Sequence, residues 1–473
     1  MNSDDFRKHG HDLINWMADY LENIKTYPVK PSVNPGAIKN QLSEKAPELP
    51  EPFGQLFDDF NNIILPGMTH WQHPQFFAYF PTGGSAPSLL AEMLTATLGA
   101  QCMVWLTSPA AEELEERMME WLREMKGLPR PFTGVIQDSS STSTLVALLT
   151  AREVKTNYSV NKSGFRSQPC FRIYTSMQAH SSVDKGAKIA GFGIDNLVKI
   201  ETDENFAIIP SALEAAIEKD VADGFLPLCV ISTIGTTSST AIDPIHEIGL
   251  ICKKYGCWHH IDASYAGTAL LLPEFRWMSK GIELADSYVF NPHKWMLTHF
   301  DCSAYFVQNK QALINTFSIL PEYLKTPEDL MVNNYRDWGI PLGRRFRALK
   351  LWFVIRSYGI TGLREIIRRH IQYGQWLKHE IAVTPHFELM APAPLNLVCF
   401  RIKPEGIYDE TKLDQVNKLL LEKLNSSGKI LLTQTKLNDR FVIRFVAGNS
   451  HTTMESVAEG WQMIKLFAAE FTA

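Results

Sequence analysis

Three kinds of reactive side chain stand directly behind strand-like apolar runs in this chain: an amine, a carboxylate and clustered hydroxyls. Lys294 follows DSYVF (286–290) after three intervening residues, Asp262 follows CWHHI (257–261), Thr236 and Thr237 follow LPLCVISTIG (226–235), and Ser139, Ser140 and Ser141 come shortly after GVIQ (134–137). In open parallel α/β sheets ligands sit beyond the carboxyl ends of the strands, so these residues form a candidate list. Their types suit pyridoxal 5′-phosphate (PLP). A lysine amine condenses with its aldehyde, a carboxylate keeps its pyridine nitrogen protonated, and a hydroxyl-rich helix N-terminus receives its phosphate through backbone N–H groups. Each residue alone is ordinary: a lysine after a strand is usually solvated, an aspartate there usually caps a turn, and a Ser/Thr cluster before a helix is usually an N-cap. Their joint order along the chain carries the reading.

The elements that must position them follow from periodicity. Short apolar strands alternate with helical stretches: GVIQ before TLVALLTARE, then LPLCVISTIG, a helix around PIHEIGLICKKYG, CWHHIDASYAG and DSYVFNPHKW. That alternation predicts an α/β fold with a mainly parallel central sheet flanked by helices. Upstream, SPAAEELEERMMEWLREMKG has Ser108 as N-cap, Pro109 at the first helical position and Gly127 as the stop, with Leu114, Met118, Trp121, Leu122 and Met125 as its buried stripe. From about Asp4 to Ile24 a further helix carries Leu13, Trp16, Met17, Tyr20, Leu21 and Ile24 on one face, ended by the proline-rich stretch 27–36. That face calls for cover from another domain, a second subunit or the chain's own later helices. Beyond about Gly362, helices with strands such as LNLVCFRI and RFVIRFVA predict a small α+β domain. The expected division is 1–82 as a helical N-terminal segment, 83–362 as the large cofactor domain and 363–473 as the small C-terminal domain.

Composition excludes several classes. Of 473 residues, 45% are hydrophobic and 21% charged, and no apolar run approaches the roughly 18 residues of a membrane helix, so no membrane role is expected. The N-terminus MNSDDFRKHGHDL is neither a secretory signal nor a typical transit peptide. Seven cysteines without CxxC spacing argue for reduced thiols in a cytoplasmic protein and for no metal site. A net charge of −5 without a basic stripe gives no support for nucleic-acid binding.

The sequence also resembles a known family. NPHKW (291–295), HIDASYAG (260–267), AHSSVDKG (179–186), FFAYFPTGGS (76–85) and PLGRRFRALKLWFVIRSYG (341–359) are similar to the aromatic-L-amino-acid decarboxylase family, the group II PLP decarboxylases of fold type I. The similarity runs from about residue 4 to about 465. It implies a homodimer with shared active sites, the N-terminal segment lying across the partner. It implies Lys294 as the cofactor-bearing lysine, Asp262 as the pyridine partner, His180 stacked on the ring, and Ser140, Ser141, Thr237, Asn291 and His293 as phosphate and ring-side contacts. The aromatic substrate then falls to Trp71, Tyr79, Phe80, Pro81 and Thr82. In PEYLK, within SILPEYLKTPEDLMVNN, Tyr323 takes the place of the catalytic-loop tyrosine, which protonates Cα after carbon dioxide leaves.

Some positions depart from the family pattern. Asp138 stands where many members have glycine, and Thr142 where an acid is common. Ser264 replaces an alanine packed under the ring, which adds a hydroxyl there. Gln101 and Met103 occupy two pocket positions that the family takes from the second subunit, where Gln101 offers a hydrogen bond to a ring hydroxyl or indole nitrogen. Gly343 leaves a small site where some phenol-preferring plant relatives carry serine. The sibling activity, an aromatic acetaldehyde synthase that couples decarboxylation to oxidative deamination, tends to have phenylalanine at the loop tyrosine or a changed stacked histidine. Tyr323 and His180 stand here in their decarboxylase forms. Glutamate decarboxylation would want cations in the pocket, and a non-catalytic relic would be expected to lose Lys294 or Asp262.

Overall fold

The computed structural model describes residues 1–166, 168–319, 327–328 and 331–472. The chain divides into two compact units, one built from 82–375 with 391–398, the other from 1–81, 376–390 and 399–473.

In the larger unit, the β-branched and aromatic runs form a sheet of β1 (Thr133–Gln137), β2 (Phe171–Ser176), β3 (Leu197–Ile200), β4 (Leu226–Thr233), β5 (Trp258–Asp262), β6 (Ser287–Phe290) and β7 (Ser303–Val307). Their order is β1-β7-β6-β5-β4-β2-β3. β7 runs antiparallel to β1 and β6, while the other neighbours are parallel, as the alternation of strands and helices predicts. Successive residues of a strand face opposite sides, and both sides are buried here. On β2, Ile173 joins Val146, Ala147, Leu148 and Val183 on one face, while Tyr174 joins Leu213, Ile217 and Ile248 on the other. The parallel register sets Thr233 beside Asp262 and Asp262 beside Val289, so the carboxyl ends of β4, β5 and β6 finish side by side. Turns leaving those ends are thereby gathered.

The helix Pro109–Lys126 ends where Gly127 turns left-handed at φ 71° and its N–H reaches the Arg123 and Glu124 carbonyls. Met118, Leu122 and Met125 of its expected stripe are buried, and Leu114 and Trp121 are half-buried. The same helix also buries Glu112, Glu115 and Lys126, which apolar periodicity did not foresee. The long helix Arg347–Val383 is broken at Gly359, whose φ of 63° and ψ of 170° are open to glycine at little cost.

In the other unit, β8 (Phe387–Leu389), β9 (Leu397–Ile402), β10 (Thr433–Leu437) and β11 (Arg440–Val446) form a sheet of order β10-β11-β9-β8. The β10–β11 hairpin turns through Asn438 and Asp439 at φ 50° and 62°, the primed-turn geometry these residue types tolerate. The N-terminal helix Ser3–Glu22 is capped by Asn2, whose side chain accepts from the Asp4 and Asp5 N–H groups. None of its residues is buried, although Trp16 meets the Phe57 and Phe60 rings.

Candidate functional site

Lys294 lies in the single-turn helix Pro292–Trp295 that follows β6. Its side chain is half-buried, and the protein packed around the amine lowers its pKa from the usual lysine value, an effect the charge of Asp262 opposes. Asp262 is the last residue of β5 and is buried. It accepts the Ser264 N–H at 3.0 Å and also the Ser264 hydroxyl, so the serine that replaces the family's alanine acts on the carboxylate. Asn291 backs the turn: its N–H donates to the Ser264 carbonyl at 2.9 Å, and its Oδ1 accepts the Ser140 and Ser303 hydroxyls, each at 2.7 Å. Ser303, on β7, is a participant that sequence reading missed.

His180 follows β2. Its Nδ1 accepts the Ser182 N–H at 3.1 Å and faces the Ser182 hydroxyl at 2.9 Å, which leaves the ring proton on Nε2. His180 is exposed, yet the protein around it still lowers its pKa; Asp262 pulls it up and Lys294 pushes it down. Ser182, two residues on in AHSSV, was the available signal for the histidine's orientation. His293 is buried, accepts the Cys302 N–H at Nδ1 (2.8 Å) and is pushed by burial down to about 3, so it is neutral at ordinary pH.

The hydroxyl-rich segment opens the helix Ser140–Lys155, with Ser139 as its cap accepting the Thr142 N–H. Asp138 takes the Ser139 N–H at 2.7 Å as a turn acceptor. Thr236 and Thr237 sit in a tight turn after β4, where Gly235 at φ 85° passes so near Ala266 that an added Cβ would stand 2.4 Å from the alanine's own. Among the described residues no group of three or more histidine, cysteine or acidic side chains could hold a metal.

The expected ring-binding residues fall in both units. Trp71, Tyr79, Phe80 and Pro81 belong to the smaller, where the Trp71 and Tyr79 rings stack at 5.5 Å, Tyr79 holds φ 53°, and the Arg444 guanidinium lies 5.3 Å from the Phe80 ring centre. Thr82, Gln101, Met103 and Gly343 belong to the larger. There the Gln101 side-chain Oε1 accepts the Arg344 N–H at 2.7 Å, the Met103 backbone carbonyl accepts the Arg336 N–H at 3.2 Å, and Gly343 lies against the Gln101 amide. Arg344 is anchored by a buried ion pair with Glu115 at 2.6 Å. Tyr323 lies outside the described residues.

Comparison with known proteins supplies the family. The pyridoxal-dependent decarboxylase conserved domain matches residues 35–403. The aromatic-L-amino-acid decarboxylase of Sus scrofa is 42% identical over 487 residues, covering 100% of this chain and 98% of that one. The crystal structure of Oryza sativa TDC with PLP and tryptamine superposes with a TM-score of 0.97 at 33% identity, covering 100% and 99% of the two chains. The 4-hydroxyphenylacetaldehyde synthase of Rhodiola rosea superposes with a TM-score of 0.93 at 34% identity, covering 100% of each.

Proposed function

Because the chain belongs to the pyridoxal-dependent decarboxylase family, we propose that it is a carboxy-lyase that converts aromatic L-amino acids to arylalkylamines and carbon dioxide, with PLP as cofactor. The observation that carries this reading is the placement of Lys294, Asp262 and His180 at or just beyond the carboxyl ends of β6, β5 and β2 of one sheet. The donor set fits the cofactor. Burial favours the neutral, nucleophilic form of the Lys294 amine, Asp262 is a buried carboxylate, and a capped helix start presents Ser140 and Ser141. When bound, PLP supplies an electron sink for the pair left on Cα as carbon dioxide departs.

The chain's own residues hold and orient. With the cofactor bound, Lys294 would carry it covalently, and Asp262, held by the Ser264 N–H, would keep a proton on the pyridine nitrogen. Ser140, Ser141 and Thr237 would receive the phosphate, His180 would stack on the ring, and Asn291 and His293 would frame the turn. Trp71, Tyr79, Phe80, Pro81 and Thr82 seat the aromatic ring, with Gln101, Met103 and Gly343 setting the choice among rings. Tyr323 donates the proton to Cα, and its phenol in place of a phenylalanine favours amine over aldehyde.

A homodimer with shared sites agrees with a 20-residue N-terminal helix that has no buried residue and with the exposed Leu90, Met93, Leu94 and Leu98 of the helix Ala86–Leu98. A cytoplasmic setting agrees with seven free cysteines. No helix is long and apolar enough to cross a membrane among the described residues.

A product assay tests the reading. Purified enzyme given tryptophan, phenylalanine, tyrosine or glutamate is expected to release amine and carbon dioxide in equal amounts, aromatic substrates leading glutamate by about tenfold or more in kcat/KM. In the presence of dioxygen as oxidant, Tyr323→Phe is expected to divert product toward aldehyde, ammonia and hydrogen peroxide. Equal rates with glutamate, or aldehyde from the wild type, would refute the assignment, and an unchanged amine yield in Tyr323→Phe would remove that tyrosine from it.

A further inference from the structure

The larger unit holds a cavity of about 680 Å³ whose lining includes none of the cofactor-binding residues assigned above. Its apolar lining includes Ile208, Ile242, Pro244, Pro392 and Pro394, and Trp277 stands in it 58% exposed. The ionisable groups among its lining residues are Asp203 and Glu247, both exposed, with no lysine, arginine or histidine to balance them. Apolar walls, one open indole and purely negative charge favour a hydrophobic cation and disfavour any ligand with a carboxylate.

One wall of this cavity is also the back of the turn that carries Thr236 and Thr237. Ser239, Ala241 and Ile242 line the cavity. The same turn is closed by the Gly235 and Thr236 N–H groups donating to the Ala241 carbonyl at 2.9 and 3.0 Å, and by the Ala241 N–H donating to the Thr236 hydroxyl at 3.1 Å. A second stretch of the lining is tied to the same place. The Ile208 N–H donates to the buried Asp243 carboxylate at 2.8 Å, whose second oxygen accepts the Thr233 N–H at the end of β4 at 2.7 Å. A ligand pressing on these walls therefore presses on the segment that leads into the cofactor-side turn.

We infer that this cavity is a second site that binds the arylalkylammonium product and through which product slows the enzyme; the choice of ligand rests on the decarboxylase reading above. Substrate and product differ by the α-carboxylate alone, and Asp203 and Glu247 repel that group while attracting the ammonium. The cavity thus separates product from substrate by charge, while Trp277 and the prolines accept the ring common to both.

The test uses holoenzyme reduced with borohydride, so that the cofactor stays fixed in its own site, and equilibrium dialysis against tryptamine with L-tryptophan as the control. One saturable tryptamine site per chain is expected, with L-tryptophan weaker by about tenfold or more. Trp277→Ala and the double variant Asp203→Asn/Glu247→Gln are each expected to weaken tryptamine by about tenfold while leaving turnover at low product unchanged. In the unreduced enzyme, tryptamine inhibition is expected to have a noncompetitive part that both variants lose. No tryptamine on the reduced protein, binding indifferent to both variants, equal binding of L-tryptophan, or purely competitive inhibition of the wild type would overturn the inference. Failure of the decarboxylase reading would show itself separately, as missing amine in the product assay, with the dialysis result untouched.

Discussion

The Gln101 carbonyl is taken by the Arg344 N–H, which leaves the amide N–H groups as the polar face the side chain can offer a substrate ring. Those donors suit a hydroxyl oxygen, whereas an indole N–H asks for an acceptor. Gly343 makes room for this arrangement, since a Cβ there would stand 2.9 Å from the Gln101 Nε2. Gly343→Ser is therefore expected to displace the amide and to change the ratio of kcat/KM for tryptophan and tyrosine by about threefold or more, an effect that largely disappears in a Gln101→Ala background. The same change of ratio in both backgrounds would show that the two positions act independently. The placement of Lys294, Asp262 and the serine turn at strand ends was legible in the sequence, because each lies at or a few residues behind an apolar strand, where local pattern suffices. The bond from Gln101 to Arg344 was not, because it joins positions 243 residues apart and no local period records it.

At the scale of elements, the helix Pro109–Lys126 shows the same division. Its start and stop were readable from Ser108, Pro109 and Gly127, but its buried face includes charges that a hydrophobic stripe assigns to solvent. Glu115 accepts from Arg344 and from the Ile136 N–H at 2.8 Å, tying this helix to β1 and to the segment that carries Gly343. Beside it, burial and the charge of Glu115 push the Glu112 carboxyl up to about 8, while it accepts the Tyr335 N–H. Lys126 is enclosed against the Phe290 ring, and burial holds its pKa well below the usual value. Glu115→Ala strands the buried Arg344 guanidinium and is expected to cost about 3–5 kcal/mol in urea unfolding, whereas Glu115→Leu with Arg344→Met should recover much of that loss. A single variant as stable as the wild type would mean that the pair does not join these elements. Strand order was open to sequence only in part. Alternation predicted the parallel strands, but the antiparallel placement of β7 between β1 and β6 depends on long-range pairing.

At the scale of the whole molecule, the exposed stripe of Leu90, Leu94 and Leu98, with Met93 beside it, argues for cover by a second copy. Sedimentation of the wild type is expected to give a dimer, and Leu94→Glu with Leu98→Glu a monomer that has lost most of its activity. A fully active monomer would contradict the shared site. The proposed function turns on one atom, the Lys294 Nζ, as the point of cofactor attachment. The direct measurement is borohydride reduction of the holoenzyme followed by peptide mapping by mass spectrometry. The phosphopyridoxyl group is predicted on Lys294 of NPHKW, and on no peptide at all in Lys294→Ala; recovery of the label on any other lysine of the native enzyme would contradict the assignment of the site.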